Sequence, residues 1–224
     1  MAGGLATRLR PITEKIPKGL VEINGIPFLE YQIKLLRKNE IKDIVLCIGY
    51  KGEMIEEYFG DGKNFGVNIS YSKEIKPLGT GGAIIKAFNK LKKNFFIMYG
   101  DAYLNFDYKD IISFYKKSKG AAVLSIYKNK GKYDSSNVFL DNNGKVLYDK
   151  LNPSSNMDYI DYGLSVLNKD LVKKYIPPQG FYDLADFYNE ISKKKLLLGY
   201  EVKERFYEIG SFGGLNEFKK YINN

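Results

Sequence analysis

Short apolar runs, rich in β-branched and aromatic residues, alternate with amphipathic stretches over the first half of the chain. The stretch from Pro27, PFLEYQIKLLRKNE, is predicted to form a helix with four residues on one face: Phe28, Tyr31, Leu35 and Leu36. DIVLCIGY and NFFIMYGD are predicted as buried strands and VNISYSK as a strand, with the short helix KGEMIEEYFG ending at Gly60. Such alternation is typical of βαβ units. The sequence therefore predicts an α/β fold with a mixed, mainly parallel central sheet.

From about Lys119 the predicted strands follow one another without regular helices between them. They are AAVLSIYK, SSNVFLD, KVLYDK and MDYIDYGLSVL, and the turn DNNGK indicates a hairpin. Helices return in DLADFYNEISKKK and GGLNEFKKYI, on either side of the strand LLLGYEV. The chain contains no internal repeat and no Pro-, Gly- or Ser-rich linker. We therefore expect one domain over residues 1–224, in which strands alternate with helices up to about residue 118 and follow one another from about residue 119.

The charge of the chain indicates an anionic ligand. Its 35 basic and 26 acidic residues give a net charge of +9, which favours nucleic acid, an acidic membrane surface or phosphorylated metabolites. Lysine runs such as NKLKKNFF and SKKKLLLGY are more typical of solvated helix faces. The chain has no nucleic-acid recognition motif and no apolar run near the ~18 residues that a membrane span needs. Neither nucleic acid nor a membrane is therefore expected as a partner.

Cysteine and histidine usage narrows the chemistry further. The single cysteine, Cys47, lies in the apolar run DIVLCIG and is expected to be buried as a small hydrophobic residue. With one cysteine and no intrachain disulfide, the protein is expected in a reducing cytoplasm. No basic-then-apolar leader is seen at the amino end. The chain has no histidine, which excludes an imidazole base and histidine-rich metal sites. Any metal would need oxygen ligands, and Mg²⁺ is the first candidate.

Three stretches combine glycine or acidic residues with predicted strand and helix ends. In the opening stretch, MAGGLATRLRPITEKIPKGL, a glycine pair is followed by several basic residues, a pattern that favours binding of a polyphosphate. The alternative is a basic, disordered terminus. In KPLGTGGA, Thr80 can cap the following helix, and three glycines in four residues cost entropy with no packing in return, which favours a ligand. FFIMYGDAYL delivers Asp101 at a strand end, as a metal-ligand candidate.

These stretches resemble the signature of the sugar-1-phosphate nucleotidyltransferases. AGGLATRLRPITEKIPKGLVEINGIPFLEY, PLGTGGA, YGD and the late YEIGS occur in the order typical of that family, over nearly the whole chain. The chain is most similar to its short, single-domain mannose- or heptose-1-phosphate guanylyltransferase-like members. The resemblance implies a Rossmann-like, three-layer nucleotidyltransferase fold. It also implies a reaction in which an NTP and a phosphorylated substrate give an NDP-linked product and pyrophosphate, with Mg²⁺ as cofactor.

The resemblance also implies roles for individual residues, with residues 1–118 binding the nucleotide and residues 119–224 the acceptor. The residues implied to act directly on the phosphates are Arg8, Lys18 and Lys150. Those implied to contact the nucleotide are Ala2, Gly3, Gly4, Thr7, Glu74, Gly79 and Thr80. The acceptor would be bound by Asp149, Asp161 and Gly163, and Mg²⁺ by Asp101 and Glu208. No general base is required, because a phosphate oxygen attacks the α-phosphorus.

Several positions depart from the family pattern. Ala6 replaces a usual glycine, which is tolerated if its φ is negative. Glu208 replaces a usual aspartate, and Asp161-Tyr162-Gly163 replaces Asn-Ala-Gly.

Glu74 can accept hydrogen bonds from a base amino group, which favours GTP or CTP over UTP or TTP.

The expected product is an NDP-sugar for surface polysaccharide or capsule biosynthesis, and a homodimer is possible. The alternatives are a cytidylyltransferase acting on a phosphorylated amino acid or phosphocholine, and a catalytically silent, nucleotide-binding regulatory relative. Nucleic-acid binding through the net charge ranks last.

In the family the opening loop follows a short central strand. This sequence begins at MAGG, where that strand would be ending, so the first strand is expected to be truncated. Its loss would leave neighbouring strands with unpaired backbone groups, at about 1–3 kcal/mol for each buried group.

Overall fold

The structure of the chain is a computed structural model that describes residues 1–223. The α-helices of this part are α1 Ile12–Lys15, α2 Phe28–Lys38, α3 Gly52–Phe59, α4 Gly79–Ala87, α5 Tyr108–Lys117, α6 Lys169–Tyr175, α7 Leu184–Lys193 and α8 Phe212–Ile222. Single 3₁₀ turns span Thr7–Leu9, Lys18–Leu20, Lys63–Phe65 and Phe88–Lys90. None of these helices is long and apolar enough to cross a membrane.

The strands of the same part of the chain are short, apart from β10. They are β1 Glu22–Ile23, β2 Ile26–Pro27, β3 Asp43–Ile48, β4 Asn68–Lys73, β5 Asn94–Met98, β6 Ala102–Tyr103, β7 Ala122–Lys128, β8 Val138–Leu140, β9 Val146–Tyr148, β10 Tyr159–Asn168, β11 Leu197–Val202 and β12 Tyr207–Glu208.

All helices and strands that the sequence predicts are present. The DNNGK hairpin joins β8 to β9, where the Asp141 carboxylate accepts hydrogen bonds from the backbone N–H groups of Asn143 and Lys145. Helices α5 and α6 are not among the predicted elements. Each begins at a side-chain cap, Asp107 for α5 and Asn168 for α6.

The chain forms two compact units, each made of segments distant in sequence. The first contains Met1–Pro77, Tyr99–Asn105 and the residues from Phe206 onward. The second contains Leu78–Met98 and Phe106–Arg205. None of the boundaries between these segments lies between residues 118 and 119, and a single domain over residues 1–224 stays a prediction.

In the first unit, β3 and β4 form a parallel pair with six residue pairs, from Asp43–Asn68 to Ile48–Lys73. Ala2 extends this pairing by one parallel bridge to Ile48. Helices α2 and α3 cover the pair with apolar side chains, and one core cluster contains Leu29, Ile33, Ile55 and Phe59 together with Leu46, Ile48, Val67 and Ile69. A second cluster surrounds Phe218 of α8 and includes Ile23, Phe28 and Ile209. It lies next to the antiparallel pair of β6 and β12.

In the second unit, six strands form one mixed sheet. Its order is β11-β7-β10-β8-β9, with β5 also pairing with β10. The β7/β11 pair is parallel over six residue pairs, whereas the pairs made by β10 are antiparallel. The predicted α/β class and mixed sheet are confirmed, and the two longest ladders within residues 1–223, β3/β4 and β7/β11, are parallel.

Candidate active site

The opening glycines lie against the end of β3. A Cβ atom on Gly3 would be 2.8 Å from Glu74 Oε1 and 3.3 Å from the backbone nitrogen of Gly49. A Cβ atom on Gly49 would in turn be 2.9 Å from the Gly3 carbonyl oxygen. By contrast, a Cβ atom on Gly4 would have no described heavy atom outside its chain neighbours within 4 Å. The close approach to the Gly3 backbone therefore requires glycine at position 49, a residue that the sequence motifs do not identify.

The condition stated for tolerating alanine at position 6, a negative φ, is not met. Its φ is 49° and its ψ is 46°, so it occupies the left-handed region where glycine is favoured. Two hydrogen bonds to the Ala6 carbonyl oxygen hold this conformation, from the Leu9 N–H at 3.0 Å and the Thr13 hydroxyl at 2.8 Å. Leu9 itself is fully buried. The loop thus keeps the backbone geometry that suits a glycine although the residue is alanine.

Lys18 and Asp101 meet in the first unit. Lys18 begins the 3₁₀ turn after Pro17, and its ammonium lies 2.8 Å from Asp101 Oδ2. The two side chains are 20% and 31% exposed. The structure thus brings together a predicted phosphate-binding cation and a predicted metal ligand that are 83 residues apart.

Asp101 and Glu208 lie on paired segments. Glu208 of β12 faces Ala102 of β6, and the Ile209 N–H donates to the Asp101 carbonyl oxygen at 2.9 Å. The Glu208 carboxylate accepts a hydrogen bond from the Gly210 N–H at 3.0 Å. A methyl group on Gly210 would collide with both this carboxylate and the guanidinium of Arg8. Arg8 and Glu208 therefore border the same small space.

This donor set fits Mg²⁺. Residues 1–223 contain no group of three or more Asp, Glu, Cys or His that could hold a metal ion. Mg²⁺ is usually bound by one or two carboxylates together with substrate phosphates and water. The carboxylates of Asp101, just before β6, and of Glu208, on its partner strand β12, match that smaller requirement, with Lys18 beside Asp101 and Arg8 beside Glu208.

Two further predicted nucleotide contacts of the first unit, Glu74 and Ala2, are hydrogen-bonded to β3. Glu74 follows β4, and its N–H donates to the Ile48 carbonyl oxygen at 2.8 Å. Ala2 donates its N–H to the Cys47 carbonyl oxygen at 2.8 Å, while Thr7 is exposed. Burial raises the pKa of the Cys47 thiol, which keeps it protonated, as expected for a buried small hydrophobe.

In the second unit, the glycine cluster of α4 has a packing reason that the sequence expectation lacks. Gly79 has a φ of 73°, and a Cβ atom on Gly81 would be 2.7 Å from the Tyr182 ring. The N–H groups of Gly81 and Gly82 donate to the Tyr182 carbonyl oxygen at 2.9 and 3.1 Å. The expectation that these glycines bring no packing was therefore wrong, because they admit the backbone around Tyr182.

Thr80 does not cap its own helix, contrary to the prediction. The N-cap of α4 is Leu78. The Thr80 hydroxyl donates to Asp183 Oδ1 at 3.0 Å and accepts from the Leu184 N–H at 2.8 Å, so it supports the start of α7. A role of Gly79 and Thr80 at a base stays a prediction.

The predicted acceptor residues of the second unit are connected through Asn137. Its carbonyl oxygen accepts from the Asp149 N–H at 2.9 Å, and its side-chain oxygen accepts from the Asp161 N–H at 3.0 Å. The Asp161 carboxylate accepts from the Gly163 N–H at 2.8 Å, while Lys150 is exposed. Asn137 is buried and carries no motif, so sequence reasoning does not identify it.

The charge of Asp161 affects the pKa of two buried tyrosines. Burial raises the pKa of Tyr148 and of Tyr188, and the negative charge of Asp161 raises both further. The Tyr188 and Ser165 hydroxyl oxygens are 2.6 Å apart. Both phenols therefore remain neutral beside the carboxylate at ordinary pH.

A model of the nucleotidyl transferase family matches residues 1–212. The D-glycero-alpha-D-manno-heptose 1-phosphate guanylyltransferase of Campylobacter jejuni is 32% identical over 210 residues, covering 94% of this chain and 92% of that protein. The protein of the same name from Aneurinibacillus thermoaerophilus is 31% identical over 211 residues, covering 94% and 91%. Among solved structures, HddC from Yersinia pseudotuberculosis has a TM-score of 0.81 at 24% identity, covering 99% of this chain and 96% of that one.

Proposed function

We propose that this chain, which belongs to the nucleotidyl transferase family, transfers a guanylyl group from GTP to a sugar 1-phosphate and releases pyrophosphate. Two relatives named as guanylyltransferases of a heptose 1-phosphate, alike over more than nine-tenths of both chains, support this choice of substrates. The observation that carries the proposal is the Lys18–Asp101 contact at 2.8 Å, which puts a cation beside a carboxylate near the glycine loop.

The proposed reaction forms one bond and breaks another at the α-phosphorus of GTP. An oxygen of the sugar phosphate attacks this atom, and the bond to the bridging oxygen of the β-phosphate breaks, so that pyrophosphate leaves. The attacking oxygen is already anionic near neutral pH, and no proton has to be removed. Catalysis of this kind depends on positioning and on neutralising charge.

Each charged residue of the first unit has a role in this proposal. Arg8 would bind the β- and γ-phosphates, and Lys18 would move from Asp101 to bridge the α-phosphate and the attacking phosphate. Asp101 and Glu208 would hold Mg²⁺, which neutralises polyphosphate charge when bound. Glu74 would accept hydrogen bonds from guanine, whose N1–H and amino group are both donors.

The residues of the second unit would serve the acceptor. Lys150 would bind the incoming phosphate, and Asp149 and Asp161 would accept hydrogen bonds from sugar hydroxyls, with Gly163 shaping the turn at Asp161. The product would be a GDP-sugar for surface polysaccharide synthesis. The buried Cys47 suits a reducing cytoplasm, where we propose that the protein works.

A substrate panel tests the proposal. Pyrophosphate release is measured with ATP, GTP, CTP and UTP, each combined with mannose 1-phosphate, a heptose 1-phosphate, glucose 1-phosphate or phosphocholine. We expect release only with GTP and a sugar 1-phosphate. Preference for CTP and phosphocholine would contradict the proposal, and no release with any pair would favour a silent nucleotide-binding protein.

A pair of variants controls for net charge. Arg8→Ala is expected to lower kcat/KM by at least about a hundredfold, the usual effect of removing a group that stabilises developing charge. Lys15→Ala removes the same charge from an exposed position in the same segment and should leave kcat/KM within about twofold. Equal losses in both variants would mean that Arg8 acts only through net charge.

A further inference from the structure

Gln32 is a buried polar residue on the apolar face of α2. It is 1% exposed, and the neighbouring residues Leu29, Ile33 and Leu36 belong to the core. Its side-chain amide nitrogen donates to the carbonyl oxygen of Tyr99 at 2.9 Å and to that of Ala102 at 2.6 Å. One amide group thus spans the turn that contains Asp101.

The other end of the same side chain has no comparable benefit. Gln32 Oε1 is buried and accepts no hydrogen bond from any described residue. A buried, unpartnered oxygen costs stability, and both acceptors at the turn are carbonyl oxygens, so the amide cannot turn round to satisfy it. Compared with an apolar residue of equal size, Gln32 therefore adds only its two hydrogen bonds to the turn.

The backbone of Asp101 itself also accepts a hydrogen bond, from a residue outside α2. The Ile209 N–H donates to the Asp101 carbonyl oxygen at 2.9 Å. Gln32 and Ile209 together hold the carbonyl oxygens of Tyr99, Asp101 and Ala102, which restrains the backbone of this turn. The Asp101 carboxylate is consequently presented at a fixed place.

We propose that Gln32 is a positioning residue that fixes the turn at Asp101 so that its carboxylate can bind a divalent cation with bound GTP. The inference rests on the proposed function, because it takes Asp101 as a cation ligand. Groups that orient a metal ligand typically change metal affinity by about 10- to 100-fold when they are removed.

Two substitutions remove the amide in different ways. Gln32→Met keeps the length of the side chain and has no donor. Gln32→Glu keeps its shape and can donate at most one hydrogen bond, when protonated. Ile33→Val, on the same helix, is the matched control, because it loses core packing without touching the turn.

Cation affinity is measured directly, with Mn²⁺ as the probe. Electron paramagnetic resonance of free Mn²⁺, compared with a protein-free solution of the same GTP concentration, gives the Mn²⁺ affinity of each protein with GTP, at a temperature where circular dichroism shows a folded protein. Pyrophosphate release is measured in parallel over a range of Mg²⁺ concentrations. We expect Gln32→Met to weaken Mn²⁺ binding by about 10- to 100-fold and to need correspondingly more Mg²⁺, with Ile33→Val unchanged.

Each other result has a defined meaning. Mn²⁺ affinity of Gln32→Met within about twofold of the wild type would overturn the inference, as would equal weakening in Ile33→Val. If Gln32→Met does not fold, Gln32→Glu supplies the same comparison. Wild-type protein that binds Mn²⁺ with GTP but releases no pyrophosphate would refute the proposed function alone, and the Mn²⁺ affinities would still decide the role of Gln32. Wild-type protein that binds no Mn²⁺ would overturn the inference.

Discussion

The Lys18–Asp101 contact should be measurable as a coupling energy in the ligand-free protein. The perturbation is a double-mutant cycle of Lys18→Met, Asp101→Asn and the two combined. The ammonium and the carboxylate oxygen are 2.8 Å apart, and their side chains are 20% and 31% exposed. Exposed pairs contribute about 0.2–1 kcal/mol, whereas shielded hydrogen bonds to charged groups contribute about 1.5–3 kcal/mol. This partly buried pair lies between these ranges, and we expect a coupling of about 1–1.5 kcal/mol.

The assay is urea unfolding without divalent cations, followed by far-ultraviolet circular dichroism and by tyrosine fluorescence. The chain has 19 tyrosines and no tryptophan, so the tyrosine signal is not obscured. Each single substitution should lower the free energy of unfolding, and the double variant should lose less than the sum of the two. A coupling below about 0.3 kcal/mol would refute the reasoning, because it would mean that the two charges do not interact in solution.

Three other substitutions test features of the backbone and of burial. Ala6→Gly should raise the free energy of unfolding by about 0.5–1 kcal/mol in urea titrations, because it relieves a φ of 49°; a loss of stability would contradict this. Gly49→Ala places a methyl group 2.9 Å from the Gly3 carbonyl oxygen and should cost about 1–3 kcal/mol, whereas Gly4→Ala, which meets open space, should change stability by less than about 0.5 kcal/mol. Burial raises the pKa of Tyr148 above its ordinary value of 10, so the folded state keeps a proton that the unfolded chain loses above pH 10. The stabilisation that this group provides is fully present below pH 10 and decreases above it by up to about 1.4 kcal/mol per pH unit. Tyr148→Phe should therefore reduce the decrease in the unfolding midpoint between pH 9 and pH 11. Identical curves for the two proteins would disprove the assignment.

Elements whose signals are local could be predicted from the sequence. The helix α2 and the strand β3 follow from periodicity and apolar runs, and the family and fold implied by the glycine loop and the YGD stretch are confirmed. The same resemblance implied roles for Lys18 and Asp101, and the structure brings these residues together.

Features that depend on contacts between distant segments could not be predicted. The glycines of α4 looked costly because the backbone of Tyr182 that fills the space beside them comes a hundred residues later. Gln32 belongs to no sequence motif, and its partners are 67 and 70 residues away. The φ of Ala6 could not be inferred from the residue type, because hydrogen bonds from Leu9 and Thr13 hold it in the left-handed region. In each case tertiary contacts override what the local sequence favours.

The most direct test of the proposed reaction is to follow it by phosphorus NMR, with GTP, mannose 1-phosphate or a heptose 1-phosphate, and Mg²⁺ in one tube. The account predicts that the resonances of GTP and of the sugar phosphate decline together. They should be replaced by those of a sugar-linked nucleoside diphosphate and of pyrophosphate in equal amounts. GTP consumed to GDP and inorganic phosphate, with the sugar phosphate unchanged, would contradict it, because bond cleavage would then be occurring at the γ-phosphorus instead of the α-phosphorus.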